Sequence, residues 1–151
     1  MESIKESMEK TKYLIDDLAV NKILNLEEAD LFTSFAGLLQ YAIIHSPNEQ
    51  TGEYKILLVI VSDGSFIQRM FDYAKALLTN DIIFLKKNDR IFTKDLHILF
   101  SKAVDGVGLG YNPNFVLLDL STKKCEECAL NILPKIHILP NTKCITIKKL
   151  R

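Results

Sequence analysis

An unbroken apolar run near the middle of the chain constrains the fold most. The segment YKILLVIVSDG, residues 54–64, contains six consecutive aliphatic residues, most of them β-branched. A run without alternation is typical of a strand that is covered on both faces, as in the centre of an α/β sheet. Asp63 follows this strand directly. Because α/β sheets place their binding sites at the carboxyl ends of strands, Asp63 is the first candidate site residue.

Strand and helix patterns alternate after this segment. Helical spacing of apolar residues predicts a helix over 65–78, a second over 93–103 with Thr93 as its cap, and a third over 121–133 that Pro134 ends. The strands are predicted at 55–62, 82–85, 114–120 and 143–149, the last at a sheet edge with one wet face. This order is typical of a mainly parallel sheet with right-handed crossovers.

Two helical patterns come before the first predicted strand. One lies in residues 1–24, where apolar side chains such as Ile4 and Met8 share a stripe, and the other spans Glu27 to Ile44. We therefore predict one α/β domain over 1–151, with a helical part at 1–46 and an alternating part at 54–151. Its expected architecture is a three-layer Rossmann-like sandwich, a mainly parallel sheet with helices on both faces and two N-terminal helices.

Composition narrows the class of partner. Lys plus Arg equals Asp plus Glu at 19 each, so no global field attracts nucleic acid or an anionic membrane. No apolar run approaches the ~20 residues that a membrane span needs, and the charged N-terminus MESIKESMEK is unlike a signal peptide. We expect an intracellular protein, cytoplasmic or nuclear, whose three cysteines are reduced. Protein partners are expected, and no cofactor is predicted.

Two acidic residues end predicted buried strands. Asp63 and Asp119 should approach the same edge of a parallel sheet, with Ser65 beside them. Carboxylate oxygens at such an edge could bind a partner or a divalent cation. The alternative is that these groups cap the following helices, because hydroxyls and carboxylates near strand ends commonly do so. The three residues are the predicted binding site, and no metal is assigned to it.

A CxxC sequence supplies the other candidate site. Cys125 and Cys128 could form a redox pair. Together with His137 and Cys144 they could also supply four zinc ligands, at a looser spacing than zinc fingers use. The third interpretation is core packing, because both thiols fall on the apolar face of the predicted helix at 121–133.

The only glycine-rich loop, DGVGLGYNP at 105–113, is predicted to join a helix to a strand. A dinucleotide fingerprint needs the opposite order, strand, loop and then helix. We therefore predict a plain connection rather than a phosphate site.

Residues 32–85 resemble the second half of a von Willebrand factor A domain. The similarity rests on FTSFAGLLQYAIIH, the strand YKILLVIVSDG, the helix after it and DIIFL. It implies that Thr33 and Asp63 match positions of the family's metal-ion-dependent adhesion site, although the DxSxS sequence is absent and no strand is predicted before Thr33. Within the family the chain is most similar to intracellular scaffold members, such as the subunits of the BRISC deubiquitinase assembly and of transcription factor IIH.

Two further families share short segments with the chain. VLLDLSTKKCEECALNILP resembles the active-site stretch of thioredoxins, without their tryptophan or the proline inside the motif. NFVLLDL is similar to the phosphoacceptor strand of receiver domains, which implies Asp119 as the phosphoacceptor, but a paired acid beside Asp63 is missing.

The expected function follows from a well-patterned core without a complete catalytic signature. We predict a non-enzymatic protein-interaction or scaffold module within an intracellular multiprotein complex. The alternatives are a thiol-disulfide oxidoreductase or zinc site on Cys125 and Cys128, and a receiver-like signalling domain with Asp119 as the phosphoacceptor.

Overall fold

Seven strands form one mixed sheet in the computed structural model, which describes residues 4–48, 50–108 and 110–151, with side chains from residue 11 onward. The strands are β1 (Ile23–Ala29), β2 (Lys55–Val61), β3 (Ile82–Lys86), β4 (Arg90–Thr93), β5 (Leu96–Lys102), β6 (Phe115–Asp119) and β7 (Lys143–Leu150). The helices are α1 (Ile4–Val20), α2 (Leu31–His45), α3 (Ile67–Leu77), α4 (Lys123–Ala129) and α5 (Leu133–Ile138), and a 3₁₀ turn (Gly64–Phe66) precedes α3.

The strand order is β1-β7-β6-β2-β5-β4-β3. The first five of these strands pair in parallel, and β4 and β3 add an antiparallel hairpin at one end. The prediction of an α/β fold with a mainly parallel sheet is therefore confirmed. Among the described residues, no helix is both long enough and apolar enough to cross a membrane.

The strand predicted from the apolar run at residues 54–64 lies in the interior of the sheet, as β2. β2 lies between β5 and β6, so the chain leaves it toward one end of the sheet and later crosses to the other. The carboxyl ends of β2 and β6 therefore flank a topological switch point, where sheets of this class leave a crevice.

Side chains of β2 divide between two core clusters. Leu57, Val59 and Val61 pack in a cluster with α2 and α3, whereas Leu58 and Ile60 pack in a second cluster with residues of α4 and α5. Successive strand residues point to opposite faces, so both faces of β2 are covered by apolar side chains. This double coverage explains why the run carries no polar residue.

The N-terminal part differs from the prediction in two respects. A strand, β1, lies between the two helices and pairs with β7, and α2 begins at Leu31 rather than Glu27. Alternation of half-buried Leu24 and Leu26 with exposed residues marks β1 in the sequence. The predicted buried positions Ile4 and Met8 lie outside the described side chains.

The predicted helix over 93–103 is instead strand β5. Leu96, Ile98 and Phe100 are buried on one face, which is a period of two. Thr93 makes the contact that suggested a helix cap, because its hydroxyl oxygen accepts a hydrogen bond from the Leu96 N–H at 3.0 Å. That bond closes the turn between β4 and β5. The glycine loop therefore joins two strands, not a helix and a strand.

The C-terminal elements also differ from prediction. Helix α4 ends at Ala129, and Pro134 stands in the first turn of a further helix, α5, instead of ending one. Proline fits there because the first N–H groups of a helix have no partner within it. Strand β7 lies between β1 and β6, so the prediction of an edge strand with a wet face was wrong. Cys144 through Ile147 are buried.

Two glycines of the 105–113 loop allow a matched test of packing. Gly108 and Gly110 both have positive φ, +86° and +84°. A Cβ on Gly108 would lie 2.5 Å from the Ile132 side chain, whereas a Cβ on Gly110 meets nothing within 4 Å.

We predict that Gly110→Ala lowers the free energy of unfolding by about 1–2 kcal/mol, the cost of left-handed backbone for an L-residue. Gly108→Ala should cost about 1–3 kcal/mol more, because the methyl group also overpacks Ile132. Urea unfolding of both variants measures the difference. Equal losses would show that the loop does not pack on Ile132.

Candidate functional site

A buried carboxylate joins the two strands at the switch point. Asp119, at the end of β6, is 1% exposed. One of its oxygens accepts the Ser62 N–H at 2.8 Å, and the other accepts the Ser121 N–H at 2.9 Å. The side chain therefore holds the residue that follows β2 and its own following turn at fixed positions.

Asp63 lies beside this link but faces solvent. Its carboxylate accepts the Ser65 N–H at 2.9 Å and caps the 3₁₀ turn that begins α3. The hydrogen bond from the Ser65 backbone is the main cause of a lowered pKa at Asp63. The predicted pair of strand-end acids is thus brought together, with one acid buried in the frame and the other on the surface.

A groove opens on the α2 and α3 side of this edge. Its volume is about 280 Å³. The start of α2, the start of α3 and the end of β7 line it, with residues Asp30, Leu31, Phe32, Ser65, Phe66, Arg69, Met70, Leu150 and Arg151. Ser65 is the predicted site residue that reaches the groove.

Local interactions fix the walls of the groove. Asp30 caps α2, and its carboxylate accepts both the Thr33 N–H at 2.7 Å and the Thr33 hydroxyl at 2.8 Å. The Arg69 guanidinium lies over the Phe32 ring, 3.9 Å from its centroid. Such a cation–π contact orients the arginine while its N–H groups remain able to bind a ligand.

The charged side chains that line the groove differ in how far neighbouring groups already engage them. Arg69 and Arg151 are cationic and exposed, whereas the Asp30 carboxylate is engaged by Thr33. Phe66 adds a ring that is 40% exposed. The groove therefore offers an apolar surface with cationic side chains, which suits a ligand that is both apolar and anionic.

The three thiols belong to the second core cluster. Cys125, Cys128 and Cys144 are all buried and free. Burial raises the pKa of the Cys125 and Cys128 thiols, and it raises the pKa of Cys144 to about 12. The Cys128 thiol contacts the Val104 carbonyl oxygen at 3.2 Å. Because a thiolate is the reactive form, these environments favour the core-packing interpretation.

His137, the fourth possible zinc ligand, does not share the buried position of the three cysteines. His137 is exposed on α5, while the three thiols face the interior. Among the side chains that the structure describes, at residues 11–48, 50–108 and 110–151, no three His, Cys, Asp or Glu are grouped so that they could hold a metal ion.

Sequence reasoning missed most of the groove. Phe32, Arg69 and Arg151 come from three distant parts of the chain, and no spacing in the sequence relates them. The one sequence feature that pointed to the groove was the position of Ser65, shortly after the strand that ends at Val61.

Comparison with known proteins adds no relative: no family model matches the chain, and a search of curated proteins returns no match.

Burial of Cys144 predicts a pH dependence of stability. In the unfolded chain this thiol ionises near its ordinary pKa of 9.0, whereas in the folded protein its pKa is about 12. The folded state therefore retains the proton that the unfolded state loses. The stabilisation is complete below pH 9.0 and is lost as the pH rises through this interval.

We predict that the difference in unfolding free energy between the native chain and Cys144→Ala falls by roughly 1 kcal/mol between about pH 8 and pH 10. Urea unfolding at several pH values measures it. Since other titrating groups are common to both chains, a constant difference would show that the Cys144 thiol ionises normally in the fold.

Proposed function

We propose that this protein is a non-enzymatic interaction module, acting as a scaffold within an intracellular multiprotein complex. The observation that carries the proposal is the groove at the carboxyl edge of the sheet, where Phe66 is exposed and Arg69 is held over Phe32. Binding sites of α/β sheets lie at this edge. Ser65, predicted from the sequence, lines this site. The other two predicted residues, Asp63 and Asp119, hold the neighbouring turns in place through their hydrogen bonds.

The chemistry of the groove indicates the class of partner. A large apolar side chain would pack against Phe66, and a carboxylate beside it would accept hydrogen bonds from Arg69. Arginine binds carboxylates in a bidentate manner, which gives orientation as well as energy. The proposed ligand is a protein segment that carries Asp or Glu next to an aromatic or large aliphatic residue.

We also propose how the helices and the sheet are layered. Two core clusters on opposite faces of β2 support a three-layer Rossmann-like sandwich, with α1 and α2 as its N-terminal helices. Such a frame presents the groove on helix and strand ends rather than on long loops. A partner would therefore bind a preformed surface, at a low cost in ordering.

A von Willebrand A-like relationship remains part of the proposal. The contact of Asp30 with Thr33, directly after β1, gives an acid and a threonine at the start of one helix. β1 stands at the edge of the sheet, however, whereas Asp63 follows the central β2. The relationship is therefore proposed for the scaffold role and not for metal-dependent adhesion.

The receiver-like alternative has one observation in its favour. The order β5-β2-β6-β7 matches the first four strands of the flavodoxin-like order 2-1-3-4-5, although the next position is held by β1, which comes before β2 in the chain. Against it, phosphorylation of Asp119 would have to displace the Ser62 or Ser121 N–H from a buried carboxylate. The thiol oxidoreductase and zinc alternatives have less support, because the cysteines lie in the core.

The groove can be tested with a displayed library of linear peptides. We predict enrichment of peptides in which an acidic residue adjoins a large apolar one. Arg69→Glu should weaken binding of the selected peptides by about tenfold or more, since a charge-assisted hydrogen bond contributes about 1.5–3 kcal/mol. Fluorescence anisotropy with the native chain and the variant measures the change.

Lys75→Glu is the matched control, because it makes the same charge change on the same helix, outside the groove. Binding should be nearly unchanged in this variant. Equal losses in both variants, or peptides without acidic residues, would contradict the proposed site.

A further inference from the structure

The hairpin end of the sheet carries an exposed apolar edge. β3 is the last strand, and β4 is its one hydrogen-bonded neighbour in the sheet. Its central side chains are solvent-exposed, at 71% for Ile83, 49% for Phe84 and 38% for Leu85. An edge strand of this kind is a template for pairing with another strand, and proteins usually protect it with charges or a covering element.

The charges at the two ends of β3 are opposite in sign. Asp81 precedes the strand, whereas Lys86 and Lys87 end it. In antiparallel pairing of two copies about a two-fold axis at Phe84, Asp81 of each copy comes to the same end of the paired strands as Lys86 and Lys87 of the other, beyond the register shift between Ile82 and Phe84. Parallel pairing in register would instead place like charges together, which is destabilising. Lys86 is already engaged by Asp89 at 3.1 Å, whereas among the described side chains Lys87 makes no ion pair of this kind.

An aromatic column leads to the same edge. Tyr54 stacks on His97 with a centroid distance of 3.6 Å, and His97 stacks on Phe92 at 3.9 Å. Phe92 then contacts Phe84, 5.6 Å away. Pairing about Phe84 would bring the two Phe84 rings together and continue the column from one copy into the other, which isologous symmetry allows.

We propose that the protein forms a two-fold symmetric dimer by antiparallel pairing of β3 with β3 of a second copy, making one continuous sheet. The axis passes near Phe84, Ile83 packs beside Leu85 of the second copy, and Asp81 pairs with Lys87. This surface is at the opposite end of the sheet from β1 and β7 and does not include the groove, so the two proposals stand separately.

Sedimentation velocity over a range of concentrations tests the dimer. The native chain should pass from monomer to dimer as concentration rises. Ile83→Lys should weaken the dimer by about tenfold or more, because an edge lysine opposes strand addition. Ile138→Lys is the control, since Ile138 is an equally apolar, 82% exposed residue on α5, and it should leave the dimer unchanged.

Exchanging the charges of Asp81 and Lys87 gives a second test of the dimer. Asp81→Lys and Lys87→Asp should each weaken the dimer, and the double variant D81K/K87D should restore it, because opposite charges then lie at the same end of the paired strands again. A native chain that stays monomeric at every concentration would overturn the proposal. So would a dimer that Ile83→Lys leaves intact, or a double variant that is no stronger than the single ones.

Discussion

The hydrogen bonds of one buried carboxylate hold the carboxyl edge of the sheet together. Asp119 ends β6 and accepts the N–H groups of Ser62 and Ser121. A buried carboxylate without partners would be costly, so the two backbone donors and the carboxylate need each other. The chain after β2 therefore leaves the sheet in a fixed direction. Phe66 and Arg69, which form one wall of the groove, follow a few residues later.

The two ends of the sheet offer different surfaces for different physical reasons. Between β1 and β5 the strands are parallel, and their carboxyl ends meet the starts of α2 and α3, which shapes a groove with apolar and cationic walls. Beyond β5 the sheet continues as a hairpin, and its last strand exposes Ile83 and Phe84. The first is the surface that we propose for a segment of another protein, and the second is the one that we propose for a second copy of the same strand.

The sequence predicted well wherever burial was uniform. The run Ile56 to Val61 marked the central strand, and β6 was found in the same way, because a strand covered on both faces has no polar positions. The prediction failed for β5, where the spacing of Leu96, Leu99 and Phe100 fits a helix while that of Leu96, Ile98 and Phe100 fits a strand. Only pairing with β2 decides between them. For β7, alternation suggested an edge strand with a wet face, whereas β1 pairs along that edge and the second core cluster covers the face that carries Cys144.

Candidate site residues were predicted in part for a similar reason. The place of Asp63, Ser65 and Asp119 at strand ends follows from local patterns, and the structure brings all three to one edge. Which acid is buried depends on how the turns after β2 and β6 meet, and that is a tertiary property. The cysteines at 125 and 128 were predicted with three interpretations, and only their surroundings, seen in the folded chain, favour packing.

Amide hydrogen exchange at Ser62 and Ser121 tests the role of Asp119 most directly. Both amides should exchange at least about a hundredfold more slowly than unprotected amides, which corresponds to an opening free energy of about 2.7 kcal/mol or more. In Asp119→Ala both should become fast together while amides in the middle of β2 stay protected. Fast exchange of Ser62 and Ser121 in the native chain would contradict the account, because the carboxylate would then not hold the edge of the sheet.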